Sequence, residues 1–523
     1  MQQRADRRRF LQTGLAAGSL FLPVPYAWVW AQSDGAIKLL RAPKMALVVG
    51  NGKYKDAPEL KNAPNDAKAI AEALKASGFD VTMKLDTGRE DLIGAIRAYV
   101  HAMEQKKHVG LFYFAGHGVQ LAWRNYLLPV DAVIDKIEDV GKQSVDIARL
   151  MEGLTKASNP MNVIILDACR ENPFGKDFRV EQKGLSQMDA PNSTLLAYAT
   201  SPGNVASDGD GANGLYTENL LREIKVPEAK IEDVFKRVRL GVRRKSNGAQ
   251  IPWESTSLEE DFWFLPPREL KKLSDAEKER LFKEQVALWE SIKESKEAAP
   301  LEDYLRRYPS GEFSELAQAV LNGVLAKQGE KKIQIASSEG NPFTKGSAEF
   351  NSNRKVGETY TARATDILTK VVQRTVTSTV TQVTNSQVIY DNGLITDLLG
   401  NVHRFADGRQ IVGGQNVPLE FAVGKHWVSR SVVTTKDGQK FDTEIEYKVV
   451  ARENIAVPLG TFNNAFRIDG RGYSHGRRFS VEVNSKQWWV PDRIPLPVAR
   501  EDRRSWPGGG VSELIELLSY KRP

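Results

Sequence analysis

Cysteine is the residue this chain has least of: one in 523, Cys169. A lone thiol forms no internal disulfide and no cluster of thiolate ligands, which excludes a disulfide scaffold and the cysteine-rich zinc folds. Histidine is scarce too, with six in all. Of these His101, His108, His403, His426 and His475 are scattered without metal-ligand spacing, so no metal site is expected, and His101 and His108 are expected at the surface or as caps. Past residue 31 no stretch is apolar enough to span a bilayer. An excess of one charge is also missing. The net charge is +7, and Arg4, Arg7, Arg8, Arg9 and Asp6 all lie in the first 31 residues. Without those four arginines and one aspartate it falls to +4, too little to argue for a nucleic-acid partner.

What is present begins with an address. Asp6-Arg7-Arg8-Arg9-Phe10-Leu11-Gln12 resembles the twin-arginine export motif, and the weakly apolar run from Thr13 to Trp30 ends at the small residue Ala31, a cleavage pattern. Residues 1–31 are therefore expected to be a signal peptide. The protein is then periplasmic or otherwise exported, with no stable membrane span once the signal is removed; the alternative is an uncleaved anchor. A free cysteine kept in an oxidising compartment points to a use for it.

That use is suggested by the stretch from Val109 to Arg170. Val109-Gly110-Leu111-Phe112-Tyr113-Phe114-Ala115 delivers Gly116-His117-Gly118, and Val163-Ile164-Ile165-Leu166 delivers Asp167-Ala168-Cys169-Arg170. Both runs have the length and the β-branched or aromatic content of strands buried on both faces. In a parallel sheet the carboxyl ends of the strands share an edge, and active sites gather there. His117 and Cys169 are expected to meet at that edge as a general base and a thiol nucleophile, since a neighbouring imidazole raises the thiolate fraction. Backbone N–H groups of Gly118 and Cys169 are candidates for an oxyanion site.

Phe114-Ala115-Gly116-His117-Gly118-Val119-Gln120, Asn125-Tyr126-Leu127-Leu128-Pro129-Val130-Asp131 and Leu166-Asp167-Ala168-Cys169-Arg170-Glu171-Asn172-Pro173-Phe174 resemble the caspase-like cysteine peptidases, in particular their bacterial metacaspase and paracaspase-like branch. A histidine about 50 residues before the cysteine is a known caspase rule. The residues around the cysteine depart from the caspase pattern, with Asp167 before it and Glu171 after. By this resemblance Asp167 and Asp66 are acids of a pocket for an arginine or lysine side chain, with Asp208 as a possible third. The resemblance also implies a loop after the cysteine that is often cut, which makes Arg179 and Lys183 candidate self-cleavage sites. No cofactor is implied. Calcium activates some metacaspases, but no acidic cluster here dictates it.

The flanking pattern alternates strand and helix from Met45 to Phe264, giving an α/β fold: a caspase-like α/β sandwich with a largely parallel sheet, over residues 40–266. Its expected elements include a helix from about Asn65 to Ser77, a capping box at Thr87-Gly88-Arg89-Glu90, a helix from about Ser144 to Ala157 and a strand at Asp261-Phe262-Trp263-Phe264. Residues 268–330 read as a charged helical hairpin similar to tetratricopeptide units. Gly340 to Gly346 reads as a linker. The segment 340–523 reads as an antiparallel β domain that closes into a curved sheet or partial barrel, with hairpin turns at Asp391-Asn392-Gly393 and Asp437-Gly438. Trp427, Trp488 and Trp489 there fit either core positions or a ligand groove.

Two functions follow. One is an exported cysteine endopeptidase acting on proteins or peptides with basic residues. The other is a catalytically silent envelope adaptor whose β domain binds an unknown protein partner.

Overall fold

The computed structural model describes residues 35–105, 107–169, 184–206, 211–270, 273–330 and 340–523, with the backbone alone at Cys169. Arg179, Lys183 and Asp208 lie outside the described residues, as does the segment 1–34.

The first domain is a sheet flanked by helices. Its strands are β1 (Lys44–Gly50), β2 (Asp80–Leu85), β3 (Val109–Leu121), β4 (Arg124–Leu127), β5 (Val145–Asp146), β6 (Met161–Cys169), β7 (Thr194–Tyr198) and β8 (Trp253–Thr256). The main path runs β2-β1-β3-β6-β7-β8, with β4 and β5 added beside the end of β3. Pairings along it are parallel until β8, which turns antiparallel to β7. Ala46, Leu47, Val48 and Val49 are all fully buried, as are Leu111 to Phe114. Consecutive burial means that both faces are covered, which is why these strands read as apolar runs instead of alternation.

Helices α1 (Ala63–Ala76) and α5 (Leu215–Ile224) pack together, and α2 (Arg89–Gln105) pairs with α4 (Ala148–Ala157); α3 (Ile137–Gln143) caps the β4–β5 region, and α6 (Ile231–Lys245) lies against α5. The helix at α1 ends at Ser77, and Gly78 takes the left-handed conformation, φ +84°, as a helix stop requires.

Several local expectations fail for identifiable reasons. Thr87 does not cap α2: its hydroxyl donates to Asn51 Oδ1 at 3.0 Å, while the N–H of Arg89 goes to Asp131 Oδ1 at 2.9 Å. The span expected as one helix from Ser144 holds the short strand β5 first, and α4 begins at Ala148. Asp261 to Phe264 is not a strand. Trp263 makes a single bridge to Lys230, and Phe262 and Phe264 fill the core. Aromatic content alone does not distinguish the two. His108 is buried, not at the surface.

Three helices follow, α7 (Asp275–Ile292), α8 (Ala298–Arg307) and α9 (Ser314–Lys327), closed around Trp289, which stacks on Phe313 at 5.6 Å and meets Tyr304 edge-on at 6.0 Å. This unit sits on α6. Arg244 pairs with Glu302 at 2.7 Å, Arg243 binds Asn322 at 2.6 Å and Glu330, and Lys236 donates to Ser310. The basic face of α6 is thus an internal joint.

The chain then forms β9 (Ser347–Glu349), β10 (Thr359–Asp366), β11 (Val372–Val383), β12 (Gln387–Tyr390), β13 (Ile395–Asp397), β14 (Val402–Arg404), β15 (Gln410–Gly413) and β16 (Glu420–Ala422). It continues through β17 (His426–Thr434), β18 (Lys440–Val457), β19 (Gly460–His475), β20 (Ser480–Trp489), β21 (Ala499–Trp506) and β22 (Gly509–Lys521). Twelve of these, all except β9 and β16, make a closed antiparallel barrel, because β22 pairs back onto β10. Closure removes both sheet edges.

The segment 340–346 is docked instead of free. Asn341 Nδ2 donates to Gln187 O at 2.8 Å, Thr344 Oγ1 to Asp189 Oδ1 at 2.6 Å, and Phe343 packs on the first domain's core. Among the described residues no helix is long and apolar enough to cross a membrane.

Candidate functional site

His117 does not follow β3; it lies within it. Ala115 is in register with Asp167 on β6, and the next pair is Gly118 with Cys169. Between these pairs β3 has two residues, Gly116 and His117, where β6 has one, Ala168. This is a bulge, the device by which strands re-aim a side chain beside an active site. It carries His117 to the carboxyl edge of the sheet and sets the Cys169 backbone next to Gly118. Both glycines are needed for packing. A Cβ at Gly116 would lie 2.6 Å from the Tyr54 hydroxyl, and one at Gly118 would lie 2.7 Å from the Ala168 carbonyl oxygen.

The imidazole is buried, and the loop after β1 orients it. His117 Nε2 lies 2.8 Å from the carbonyl oxygen of Pro58. A carbonyl only accepts, so the proton is on Nε2 and the lone pair on Nδ1. The backbone N–H of His117 donates to the Tyr54 hydroxyl at 2.7 Å, and the Tyr54 ring packs 4.6 Å from the imidazole, centroid to centroid. That loop is itself braced. Gly52 and Lys53 N–H groups donate to Asp86 Oδ1 at 2.8 and 3.0 Å, and Asn51, fully buried, ties Leu128 O and Thr87 to the end of β1.

Asp66 and Asp167 are both buried, and both charges act on Tyr113. Asp66 lies in the first turn of α1 but does not cap it; its Oδ1 accepts from Asn213 Nδ2 at 2.9 Å and from the N–H of Gly214, the N-cap of α5, at 3.0 Å. Asp167 Oδ2 accepts from the Thr217 hydroxyl at 2.9 Å, and Thr217 Oγ1 is 2.6 Å from the Tyr113 hydroxyl. Burial, then the nearby negative charges of Asp167 and Asp66, push the Tyr113 phenol well above its usual range, so it stays neutral. Two carboxylates from separate elements thus share one corner with a tyrosine and a threonine. Tyr54, Pro58, Tyr113, Asn213 and Thr217 were not found by sequence reasoning. The one signal was an aromatic residue in the loop after β1; a carbonyl leaves no side-chain signature.

The other histidines remain apart. His101 sits 3.9 Å from Glu104, His403 3.9 Å from Asp397, and His475 Nδ1 2.8 Å from Ser480 Oγ. Among the described residues no three His, Cys, Asp or Glu side chains gather as metal ligands.

Residues 43–263 match the family model of the caspase domain, peptidase C14. Human mucosa-associated lymphoid tissue lymphoma translocation protein 1 is 26% identical over 194 residues, which are 36% of this chain and 23% of the human protein. The mouse homolog is also 26% identical over 194 residues, 22% of its length. The chain therefore spans less than a quarter of these relatives. The matched segment holds the bulge, His117, Cys169 and both buried aspartates. Residues 43–263 therefore form a caspase domain, similar to the segment shared with these two proteins.

Proposed function

We propose that the protein is an endopeptidase that cleaves after arginine or lysine with Cys169 as nucleophile and His117 as general base and acid. The observation that carries the reading is the Pro58 carbonyl on His117 Nε2, at a bulge where Gly118 is in register with Cys169. With the tautomer fixed, Nδ1 takes the thiol proton as sulfur attacks the scissile carbonyl, then returns it to the leaving amine. The N–H groups of Gly118 and Cys169 receive the oxyanion. Asp66 and Asp167, joined by Asp208, take the basic side chain of the substrate; a guanidinium matches two carboxylates in a bidentate way, and the bonds are charge-assisted. Exported delivery by the twin-arginine route, self-cutting at Arg179 or Lys183 and a basic protein or peptide substrate belong to the same proposal.

The test is a set of three peptides differing only in arginine, lysine or aspartate before a fluorogenic reporter, with and without calcium. Turnover of the basic peptides alone, lost in Cys169→Ala and His117→Ala, supports it. Turnover confined to the aspartate peptide removes the pocket assignment, and activity persisting in Cys169→Ala removes the nucleophile.

A further inference from the structure

The C-terminal barrel carries polar groups that the peptidase reading does not use. A closed barrel of about eight strands is filled by its own side chains or holds one small ligand, and width grows with strand number, so twelve strands leave space. Residues directly opposite across a ladder share a face, which makes the interior readable from register. Arg500 is opposite Gln487, Gln487 opposite Ile468, and Ile468 opposite Val449. The last two are fully buried, so this is the inner face, at the closed end. One rung nearer the mouth, Asp502, Ser485, Gly470, Tyr447 and Trp427 align. On the next, Val511, Arg504, Val483, Gly472, Ile445 and Ser429 do.

The inner face becomes wetter along this axis. Val449 is 0% exposed and Val511 45%. The Arg500 side chain, on the same rung and face as buried Val449 and Ile468 but further round the wall, is still 35% exposed. Tyr447 on β18 interacts electrostatically with Arg500, Asp502 and Arg504 on β21, although two strands separate them. All four side chains lie on the face that the register assigns to the interior.

The lumen has unmet bonding capacity. Arg500 pairs with Asp502 at 2.7 Å, and Arg374 holds Glu513 through two bonds of 2.6 and 2.9 Å. Arg504 makes no ion pair or hydrogen bond among the described residues; burial depresses its pKa against the attraction of the nearby Asp502 carboxylate, with Arg500 and Arg409 adding repulsion. Ser485 is 6% exposed, and its hydroxyl has no partner; it is aimed over Gly470, where an added Cβ would lie 2.7 Å from it. A buried orphan hydroxyl one rung from a guanidinium without an ion pair has the character of the polar half of a binding site. The apolar half is the wall of β17 and β18 further along the same rungs, where Trp427 stacks on Tyr447 at 5.6 Å. The rim continues it with exposed Leu368, Val371, Val372 and Phe479.

We propose that the open half of the barrel is a binding cup for an anionic amphiphile, with its carboxylate or phosphate head on Arg504 and Arg500 and its apolar body along Trp427, Ile445 and Val511 toward the rim. Charge inside and hydrocarbon at the mouth fix that orientation.

The test is calorimetric titration of the full chain, with tryptophan emission as a second readout, using dodecanoate, dodecyl phosphate, dodecanol, acetate and inorganic phosphate below micelle-forming concentrations. The two amphiphilic anions are expected to bind one to one, and dodecanol, acetate and phosphate at least about tenfold more weakly. Arg504→Gln should weaken the anionic amphiphiles by at least about tenfold and leave dodecanol unchanged, with Arg504→Lys intermediate. Equal affinity for dodecanol, equal affinity for inorganic phosphate, an Arg504→Gln variant that binds as before, or no binding of either amphiphile would each overturn the proposal. The comparison of dodecanoate with dodecanol uses the unsubstituted protein, so it decides the matter even where a substitution folds poorly.

Discussion

Gly118 is in register with Cys169, while Ala115, three residues earlier, is in register with Asp167 two residues before the cysteine. The bulge between them places His117, and Gly118 closes it against the Ala168 carbonyl. Gly118→Ala puts a methyl 2.7 Å from that backbone oxygen and 3.0 Å from the Ala168 methyl. Neither atom is the end of a flexible side chain, so the strands must separate. The expected outcome is a loss of about 1–3 kcal/mol in chemical denaturation and near-complete loss of peptide turnover. A variant of wild-type stability and activity would show that the bulge tolerates the shift.

Tyr54 acts on the site through His117. Its hydroxyl receives the His117 backbone N–H, and its ring lies against the imidazole. Tyr54→Phe keeps the ring and removes the acceptor, leaving a buried N–H unsatisfied at about 1–3 kcal/mol. As a positioning residue, acting through His117, it should lower kcat by roughly tenfold with KM nearly unchanged. An increase in KM at constant kcat would place Tyr54 in substrate binding instead.

The strands of the caspase domain were legible because burial on both faces writes uninterrupted apolar runs into the sequence. Lys44–Gly50 and Met161–Cys169 show this clearly. Gly116-His117-Gly118 reads as a loop, because glycines flanking a polar residue normally end a strand; that they sit in a bulge is decided by β6 and not by local sequence. The β3–β4 turn has no Asn-Gly signal. Ala122 and Trp123 both take positive φ, 49° and 67°, a strain that long-range pairing sustains. Asp167 and Asp66 were assigned to one pocket by resemblance, but the Thr217 and Asn213 groups that hold them come from a segment 50 and 147 residues away. Thr87 shows the converse, a strong local capping pattern diverted by the tertiary partner Asn51.

Arg239 on α6 joins the caspase domain to the small β9–β16 sheet of the C-terminal β domain. It reaches Glu254 of β8 at 2.9 Å and Glu420 of β16 at 3.3 Å, and Trp253 Nε1 also donates to Glu420 at 2.5 Å. Burial raises the Glu254 pKa and Arg239 opposes it, so removing the cation leaves two carboxylates facing each other in low dielectric. Arg239→Met is expected to cost about 3–5 kcal/mol and to split thermal unfolding into two transitions as the domains uncouple. Adding Glu254→Gln and Glu420→Gln should recover most of the loss. A single variant with one unshifted transition would mean that the joint is held elsewhere.

Glu312 makes the joint between the helical unit and the barrel sensitive to pH. Its Oε2 accepts the Arg430 backbone N–H at 3.0 Å, and Arg430 is already paired with Glu444 at 2.9 Å. Burial raises the Glu312 pKa from 4.5 to about 7, against the opposing pull of Arg430. A raised folded-state value means that the folded protein holds the proton more tightly than the unfolded chain. The stabilisation is therefore complete below pH 4.5 and is lost as pH rises through 7, by no more than about 3 kcal/mol. Glu312→Gln stays neutral and keeps an oxygen to accept the same N–H. It should match the wild type in acid and exceed it in stability at pH 8, with the gap opening between pH 5 and 7 in denaturation followed at each pH. Parallel curves over that range would show that Arg430 neutralises the carboxylate and that its proton affinity is ordinary.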